Sequence, residues 1–184
     1  MMNRLLAILV LLGAFTMMSC EPTNPFNQGP VYDELENLKI DSAKIVAFLD
    51  TAKIDSLYRI HDRSGVVIIV QKEGVGTRPT SGTVVYTDYI GSLMADGSVF
   101  DTSYENVARE NNIYVEGRKY NTFGFIVGSG TVITGWDFAF RRLRPGSKAI
   151  LVIPSTWAYR NQSTSERIPA NSVLLFDVDF RGID

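Results

Sequence analysis

The sequence predicts an α+β protein in which a β-sheet bends around one short helix and a second helix precedes the sheet. Three observations predict this fold. Segments rich in β-branched and aromatic residues recur after residue 65, with only one helix-length pattern between them. An amphipathic helical pattern lies before the first strand. Four apolar side chains in residues 172–181 alternate with Asp177 and Asp179, which indicates a sheet with one covered face.

Length and charge narrow the class of protein. The chain has 184 residues and 45% apolar content, which suffices for one domain with a sizeable core and an appendage. The net charge is −2 and no basic block is present, so nucleic acid is not expected as a partner.

Residues 1–19 have the layout of a signal peptide. Arg4 supplies one positive charge, and an unbroken apolar run follows from residue 5 to residue 15. Such a run is too short to span a bilayer and is typical of a secretory signal. We therefore expect this segment to be removed from an exported protein.

The only cysteine of the chain, Cys20, follows this segment directly, so it has no internal disulfide partner. Its surroundings resemble the lipobox of bacterial lipoproteins: Ser19 fits, whereas Met17 and Met18 depart from the usual residues. The resemblance implies lipidation of Cys20 and a membrane protein of the bacterial cell envelope, with a soluble domain in the periplasm or on the cell surface. The alternative is an ordinary signal with an incidental cysteine.

Two segments separate this cysteine from the sheet. Residues 20–32 are predicted to be a lipid-anchored flexible tether, because they contain three prolines, two asparagines and a glycine. Residues 33–64 are predicted to be a helical extension, with Asp41 or Ser42 capping a helix that ends near Lys53. The apolar stripe of this helix comprises Ile45, Phe48, Leu49 and Ala52. The stripe covers either the main domain or a second copy of the chain, as in a dimer.

Five strands are predicted after this extension. Their ranges are 66–73, 83–94, 122–127, 147–153 and 172–181. The one helix between strands covers residues 135–143 and carries Trp136 in its first turn. Leucine would pack there without an indole N–H to satisfy, so Trp136 is predicted to form a surface. His61, in the linker before the sheet, has no histidine or cysteine nearby, which favours an exposed residue over a metal ligand.

Four stretches together resemble a known family. They are YIGSLMADGSVFD (89–101), FGFIVGSGTVITGW (123–136), LRPGSKAILVIPSTWAY (143–159) and IPANSVLLFDVDF (168–180). In this order they resemble the motifs of FKBP-type peptidyl-prolyl cis/trans isomerases, over a domain of residues 65–184. The resemblance implies an antiparallel sheet of five to six strands wrapped around a short helix.

The resemblance also implies a pocket between helix and sheet. The positions implied as catalytic are Tyr89, Asp101, Ile133, Trp136, Tyr159 and Phe176. The positions implied as substrate-binding are Phe100, Phe123, Val132 and Ile168. Trp136 is then the floor under a prolyl ring, and the Tyr159 hydroxyl and the Ile133 N–H donate to the substrate. Two alternatives stay open: the strand aromatics are ordinary core, and Asp101 only caps the turn that follows it.

The implied activity needs no covalent chemistry. Amide resonance sets a barrier of about 18–20 kcal/mol to rotation, so a catalyst only has to favour the twisted amide over the planar one. No metal, cofactor, nucleophile or general base is expected. Proline-containing polypeptides are the implied clients, with a role in folding exported proteins, and macrolides are the implied inhibitors. The alternatives are a chaperone-like module that binds without turnover and a structural role.

The chain departs from the family pattern near the pocket. Residues 102–122 are longer than in the smallest family members, and residues 106–111 within them have the pattern of a helical turn. Thr131, Arg160 and Arg167 stand where the family usually has other residues. We expect these changes to affect catalytic speed more than binding.

Overall fold

The computed structural model describes residues 32–184, which form one compact unit. The predicted signal peptide, Cys20 and nearly all of the tether lie outside the described residues. The elements in chain order are α1 (Glu34–Thr51), β1 (Tyr58–His61), β2 (Val67–Lys72), β3 (Val84–Leu93), β4 (Val99–Thr102), α2 (Glu105–Glu110), β5 (Phe123–Ile126), α3 (Thr134–Phe140), β6 (Lys148–Ile153) and β7 (Leu174–Ile183). A single 3₁₀ turn, Ser155–Trp157, follows β6.

All strand pairings are antiparallel, in the order β1-β2-β6-β7-β3-β4, with β5 also paired to β3. The α+β class and the sheet around a short helix are therefore confirmed. The sheet has seven strands rather than five or six. The five strands expected from the sequence agree with the structure within two residues at each end.

The inner face of the sheet packs on α3. The apolar side chains of β7 that alternate with its aspartates are buried, and so are Trp136, Ala139 and Phe140 of the helix. Gly135 makes the close approach of α3 to β6 feasible, since a Cβ at this position would overlap the Ile153 side chain. The glycine before Trp136 therefore sets the depth of the indole in the core.

The outer face of the sheet is covered in part by α1. Ile45 is buried, and together with Leu49 it packs in a cluster with Val67, Ile69 and Val152 of β2 and β6. Of the two alternatives for the apolar stripe, the structure shows the main domain of the same chain as its partner.

The start of α1 differs from the expectation that Asp41 or Ser42 caps it. Asp33 is the N-cap, and its side chain accepts a hydrogen bond from the Glu36 N–H at 3.0 Å. Asp41 lies inside the helix and is buried, and the Ser42 hydroxyl donates to the Leu38 carbonyl. The capping expectation was wrong because Asp33 already satisfies the first turn.

Two strands, β1 and β4, were not predicted from the sequence. β1 lies within the predicted helical extension and pairs with β2, so His61 is an exposed strand residue rather than part of a linker. β4 forms the second arm of a hairpin with β3 and brings Asp101 beside it. Among residues 32–184, no helix combines the length and hydropathy needed to cross a membrane.

Candidate functional site

A cavity of about 490 Å³ opens between α3 and the inner face of the sheet. Its walls come from four strands (β3, β4, β5 and β7), the loop before α3, the helix itself and the loop between β6 and β7. The lining residues are Tyr89, Phe100, Asp101, Phe123, Thr131, Val132, Ile133, Trp136, Tyr159, Ile168 and Phe176. The structure thus brings all ten pocket positions implied by the sequence around one space and adds Thr131. Their roles in binding or catalysis stay predictions.

Trp136 forms the floor of this cavity. Its indole is 4% exposed and meets Tyr89 and Phe176 edge to face, with ring centroids 5.3 and 5.2 Å apart. The buried Nε1–H has no hydrogen-bond partner within residues 32–184. Leaving such a donor unpaired costs free energy that leucine would not incur, which favours a use for the aromatic ring beyond packing.

One wall of the cavity contains a pair of phenylalanines. Phe100 and Phe176 meet edge to face with centroids 5.7 Å apart. Both rings lie against Gly91 of β3, where a Cβ would stand 2.8 Å from one ring and 2.9 Å from the other. Glycine at this position therefore lets the two rings sit over the strand, a requirement that the sequence analysis did not identify.

Asp101 orients Tyr89 and also caps the following residue. Its carboxylate accepts from the Tyr89 hydroxyl at 2.6 Å and from the Thr102 N–H at 2.9 Å. It further pairs with Arg118, whose Nη1 lies 2.7 Å away. Burial and the hydrogen bond to Asp101 hold the pKa of Tyr89 far above its usual range, so its hydroxyl stays a donor. Asp101 thus holds the Tyr89 hydroxyl and also caps the turn that follows it, while a role in catalysis stays a prediction.

Arg118 was missed because it lies 17 positions after Asp101, inside the long loop. That loop contains α2 and a stack in which the Arg109 guanidinium covers Tyr114 at 3.6 Å and Tyr114 lies on Tyr120. None of residues 102–122 lines the cavity, so the loop reaches the site through the pair formed by Arg118 and Asp101.

Besides the buried indole N–H of Trp136, two hydrogen-bond donors at the cavity have no partner within residues 32–184. Tyr159 is half-buried, and its hydroxyl has no partner within the described part of the chain. Burial, assisted by the charge of Asp101, raises the pKa of Tyr159, which keeps the hydroxyl protonated near neutral pH. The Ile133 N–H likewise donates to no described residue, while the Ile133 carbonyl accepts from Trp136. The cavity therefore offers an apolar floor and two free donors.

Of the three departures from the family pattern, Thr131 lines the cavity, whereas Arg160 and Arg167 are chain neighbours of lining residues. The Thr131 hydroxyl is 2.9 Å from that of Ser129. Arg167 donates to the Asn112 carbonyl, which joins its loop to the long loop. Arg160 adopts a left-handed backbone with φ of 58°. Among residues 32–184, no three potential metal ligands come together.

Known proteins resemble this chain in sequence and in fold. The model of the FKBP-type peptidyl-prolyl cis-trans isomerase family matches residues 76–181. The chain therefore belongs to the FKBP-type family, as the four sequence motifs indicated.

Among individual relatives, a short-type peptidyl-prolyl cis-trans isomerase of Methanocaldococcus jannaschii is 40% identical over 101 residues, which are 54% of this chain and 62% of that protein. The FK506-binding protein 1A of Neurospora crassa is 38% identical over 65% of this chain and 88% of its own length.

Two bacterial proteins are also similar to this chain. A probable FKBP-type isomerase of Neisseria meningitidis, FkpA, is 34% identical over 62% of this chain and 36% of that protein. The crystal structure of FkpA from Escherichia coli superposes with a TM-score of 0.60 and 27% identity, covering 82% of this chain and 62% of that one. The chain thus spans less than two thirds of several of its relatives.

Proposed function

We propose that this chain is a peptidyl-prolyl cis-trans isomerase that acts on exported, proline-containing polypeptides while a lipid on Cys20 holds it at a membrane of the bacterial cell envelope. The observation that carries the activity is the cavity itself. It combines a tryptophan floor, aromatic walls and two unpaired donors, from Tyr159 and Ile133. Its composition suits a reaction that rotates a bond and breaks none.

The catalytic step follows from the properties of the amide. The prolyl ring rests on Trp136, and the amide bond before it moves from water into the apolar cavity. This transfer disfavours the charge-separated planar form of the amide relative to the twisted form. Tyr159 donates to a substrate carbonyl, and the Ile133 N–H supplies the second hydrogen bond. A ten-thousand-fold acceleration corresponds to about 5.4 kcal/mol. Two hydrogen bonds of about 0.5–1.5 kcal/mol each supply part of it, and desolvation supplies the rest.

The other wall residues keep this space in shape. The Tyr89 ring packs edge to face against Trp136, and its hydroxyl is held by Asp101 at 2.6 Å. Because Asp101 is held in turn by Arg118, the polar side of the cavity is fixed before a substrate arrives. Preorganised walls avoid the cost of ordering side chains on binding.

A protease-coupled assay with short Xaa-Pro peptides tests the activity. The fragment of residues 21–184, which contains the whole compact unit, is expected to accelerate isomerisation. Trp136→Leu should lose most of kcat/KM. Phe180→Leu is the matched control, because Phe180 is a buried aromatic residue of the same core that does not line the cavity. Equal activities for wild type and Trp136→Leu would contradict the proposal.

The same variants separate catalysis from chaperone-like binding. The binding alternative is favoured by the apolar cavity and by the departure from the family pattern at Thr131, which lines it. Calorimetric titration with a prolyl peptide is expected to show binding that Trp136→Leu weakens. If the peptide binds in this way but the assay detects no turnover, the chaperone-like module replaces the isomerase.

The membrane anchor rests on residues 1–20 alone. Lipidation would attach acyl chains to Cys20 as the first residue of the mature chain. Each methylene of these chains that is buried in the membrane adds about 0.8 kcal/mol of membrane affinity. Cys20→Ala in the full chain should move the protein from the membrane fraction to the soluble fraction. Continued membrane retention of the variant would count against lipidation.

A further inference from the structure

We propose that α1 positions Tyr159 for catalysis, and that Asp41 is its main contact. The segment concerned is residues 155–160, termed the tyrosine segment below, which contains the 3₁₀ turn and Tyr159. This inference rests on the proposed isomerase activity. It assigns a catalytic purpose to a helix that lies on the other side of the sheet from the cavity.

The first contact is a buried carboxylate. Asp41 is 1% exposed, and its Oδ2 accepts from both the N–H and the hydroxyl of Ser155, at 2.8 and 2.5 Å. Lys44 contributes a partial countercharge at 3.1 Å from the other oxygen. Burying a carboxylate costs free energy, which the two charge-assisted hydrogen bonds to Ser155 offset. The same two hydrogen bonds fix the first residue of the 3₁₀ turn.

The second contact is at the other end of the tyrosine segment. Arg160 forms an ion pair with Glu34 in the first turn of α1, with Nη2 and Oε1 2.7 Å apart. The Tyr32 hydroxyl, just before the helix, lies 3.4 Å from the Ser155 hydroxyl and 3.3 Å from that of Thr156. Contacts from α1 and its N-terminal flank therefore hold the segment on both sides of Tyr159.

The position of the Tyr159 hydroxyl depends on the tyrosine segment that α1 holds. This hydroxyl makes no hydrogen bond within residues 32–184, so its position is set by the packing of the ring on the core and by the backbone that carries it. That backbone is closed by two bonds to the Ser155 carbonyl, from the N–H groups of Ala158 and Arg160 at 3.0 and 2.9 Å. A shift of Ser155 is therefore passed directly to Tyr159, where small displacements reduce catalysis.

A double-mutant cycle in residues 21–184 tests the proposal. Asp41→Ala leaves the Ser155 donors without their acceptor and should lower kcat/KM about fivefold, mostly through kcat. In a Tyr159→Phe background the same change should cost less than about twofold, because the hydroxyl it positions is already gone. Asp41→Asn, which keeps an acceptor oxygen, should restore most of the activity.

A matched control separates positioning from loss of stability. Leu49→Ala on the same helix removes packing against the outer face of the sheet but touches no residue of the tyrosine segment. It should lower Tm while kcat/KM at a temperature well below Tm stays within about twofold. The inference would be overturned if Asp41→Ala lowered kcat/KM by the same factor in the wild-type and Tyr159→Phe backgrounds. It would also be overturned if Leu49→Ala lowered kcat/KM as much as Asp41→Ala does.

Amide hydrogen exchange distinguishes failure of this inference from failure of the proposed function. A wild-type fragment without isomerase activity refutes the function and, with it, the catalytic purpose of α1. Exchange then still tests the positioning itself. We expect faster exchange at residues 155–160 in Asp41→Ala and not in Leu49→Ala. Unchanged exchange in Asp41→Ala would show that the carboxylate does not hold the segment.

Discussion

Tyr159→Phe removes one oxygen from the cavity and nothing else. Because this hydroxyl has no hydrogen-bond partner in residues 32–184, the free energy of unfolding should change by less than about 0.5 kcal/mol. The reaction, by contrast, loses a donor to the substrate carbonyl. A hydrogen bond of about 0.5–1.5 kcal/mol corresponds to a loss of about 2- to 13-fold in kcat/KM.

The measurement pairs the protease-coupled assay with urea unfolding of residues 21–184. Two further tyrosine variants serve as comparisons. Tyr86→Phe loses an exposed hydrogen bond to Asp184, so both activity and stability should stay as in wild type. Tyr89→Phe loses a bond to a carboxylate at 2.6 Å, which is expected to cost about 1.5–3 kcal/mol of stability.

Two results would refute this reasoning. If kcat/KM of Tyr159→Phe equals that of wild type, the hydroxyl does not donate to the substrate. If instead Tyr159→Phe unfolds as readily as Tyr89→Phe, the hydroxyl has a structural partner, and the interpretation of its free state is wrong.

Three other changes have defined outcomes. Gly91→Ala should weaken peptide binding in calorimetry by about 1–3 kcal/mol, because the added Cβ displaces the Phe100 and Phe176 rings; unchanged affinity would contradict this. The pKa values of Tyr89 and Tyr159 are raised, so both hydroxyls stay protonated below about pH 10. The stability that the Tyr89 hydrogen bond adds is therefore complete below that pH and lost as the pH rises through the raised pKa of Tyr89. The kcat/KM should be flat from about pH 6 to pH 9; a step near neutrality would count against this. A fragment of residues 65–184 lacks α1 and β1, so Val67 and Ile69 become exposed to solvent. Urea unfolding should show that its free energy of unfolding is lower than that of residues 21–184 by at least about 2 kcal/mol; equal free energies would contradict the packing role of α1.

Alternating patterns made most of the sheet predictable. β7 places four apolar side chains on one face between its aspartates, and the structure buries all four. β1 was missed because three of its four residues are exposed, so no alternation marks it in the sequence. β4 has the same weakness, with only Thr102 fully buried. Short edge strands are recognised by their partners rather than by their own residues.

The cavity could be predicted to the extent that local motifs encode it. The motif ending in Gly135-Trp136 marked the floor, and the motif ending in Phe100-Asp101 marked one wall. Arg118 and Asp41 could not be found in this way, since each acts across a long sequence separation. The Asp41 carboxylate meets Ser155 across 114 positions, and no spacing rule connects the two.

The most direct test of the central claim is a crystal structure of residues 21–184 with a short Xaa-Pro peptide. We predict that the prolyl ring lies on the Trp136 indole and that the Tyr159 hydroxyl and the Ile133 N–H donate to peptide carbonyl groups. A peptide bound elsewhere, with the cavity closed by the protein's own side chains, would contradict the account.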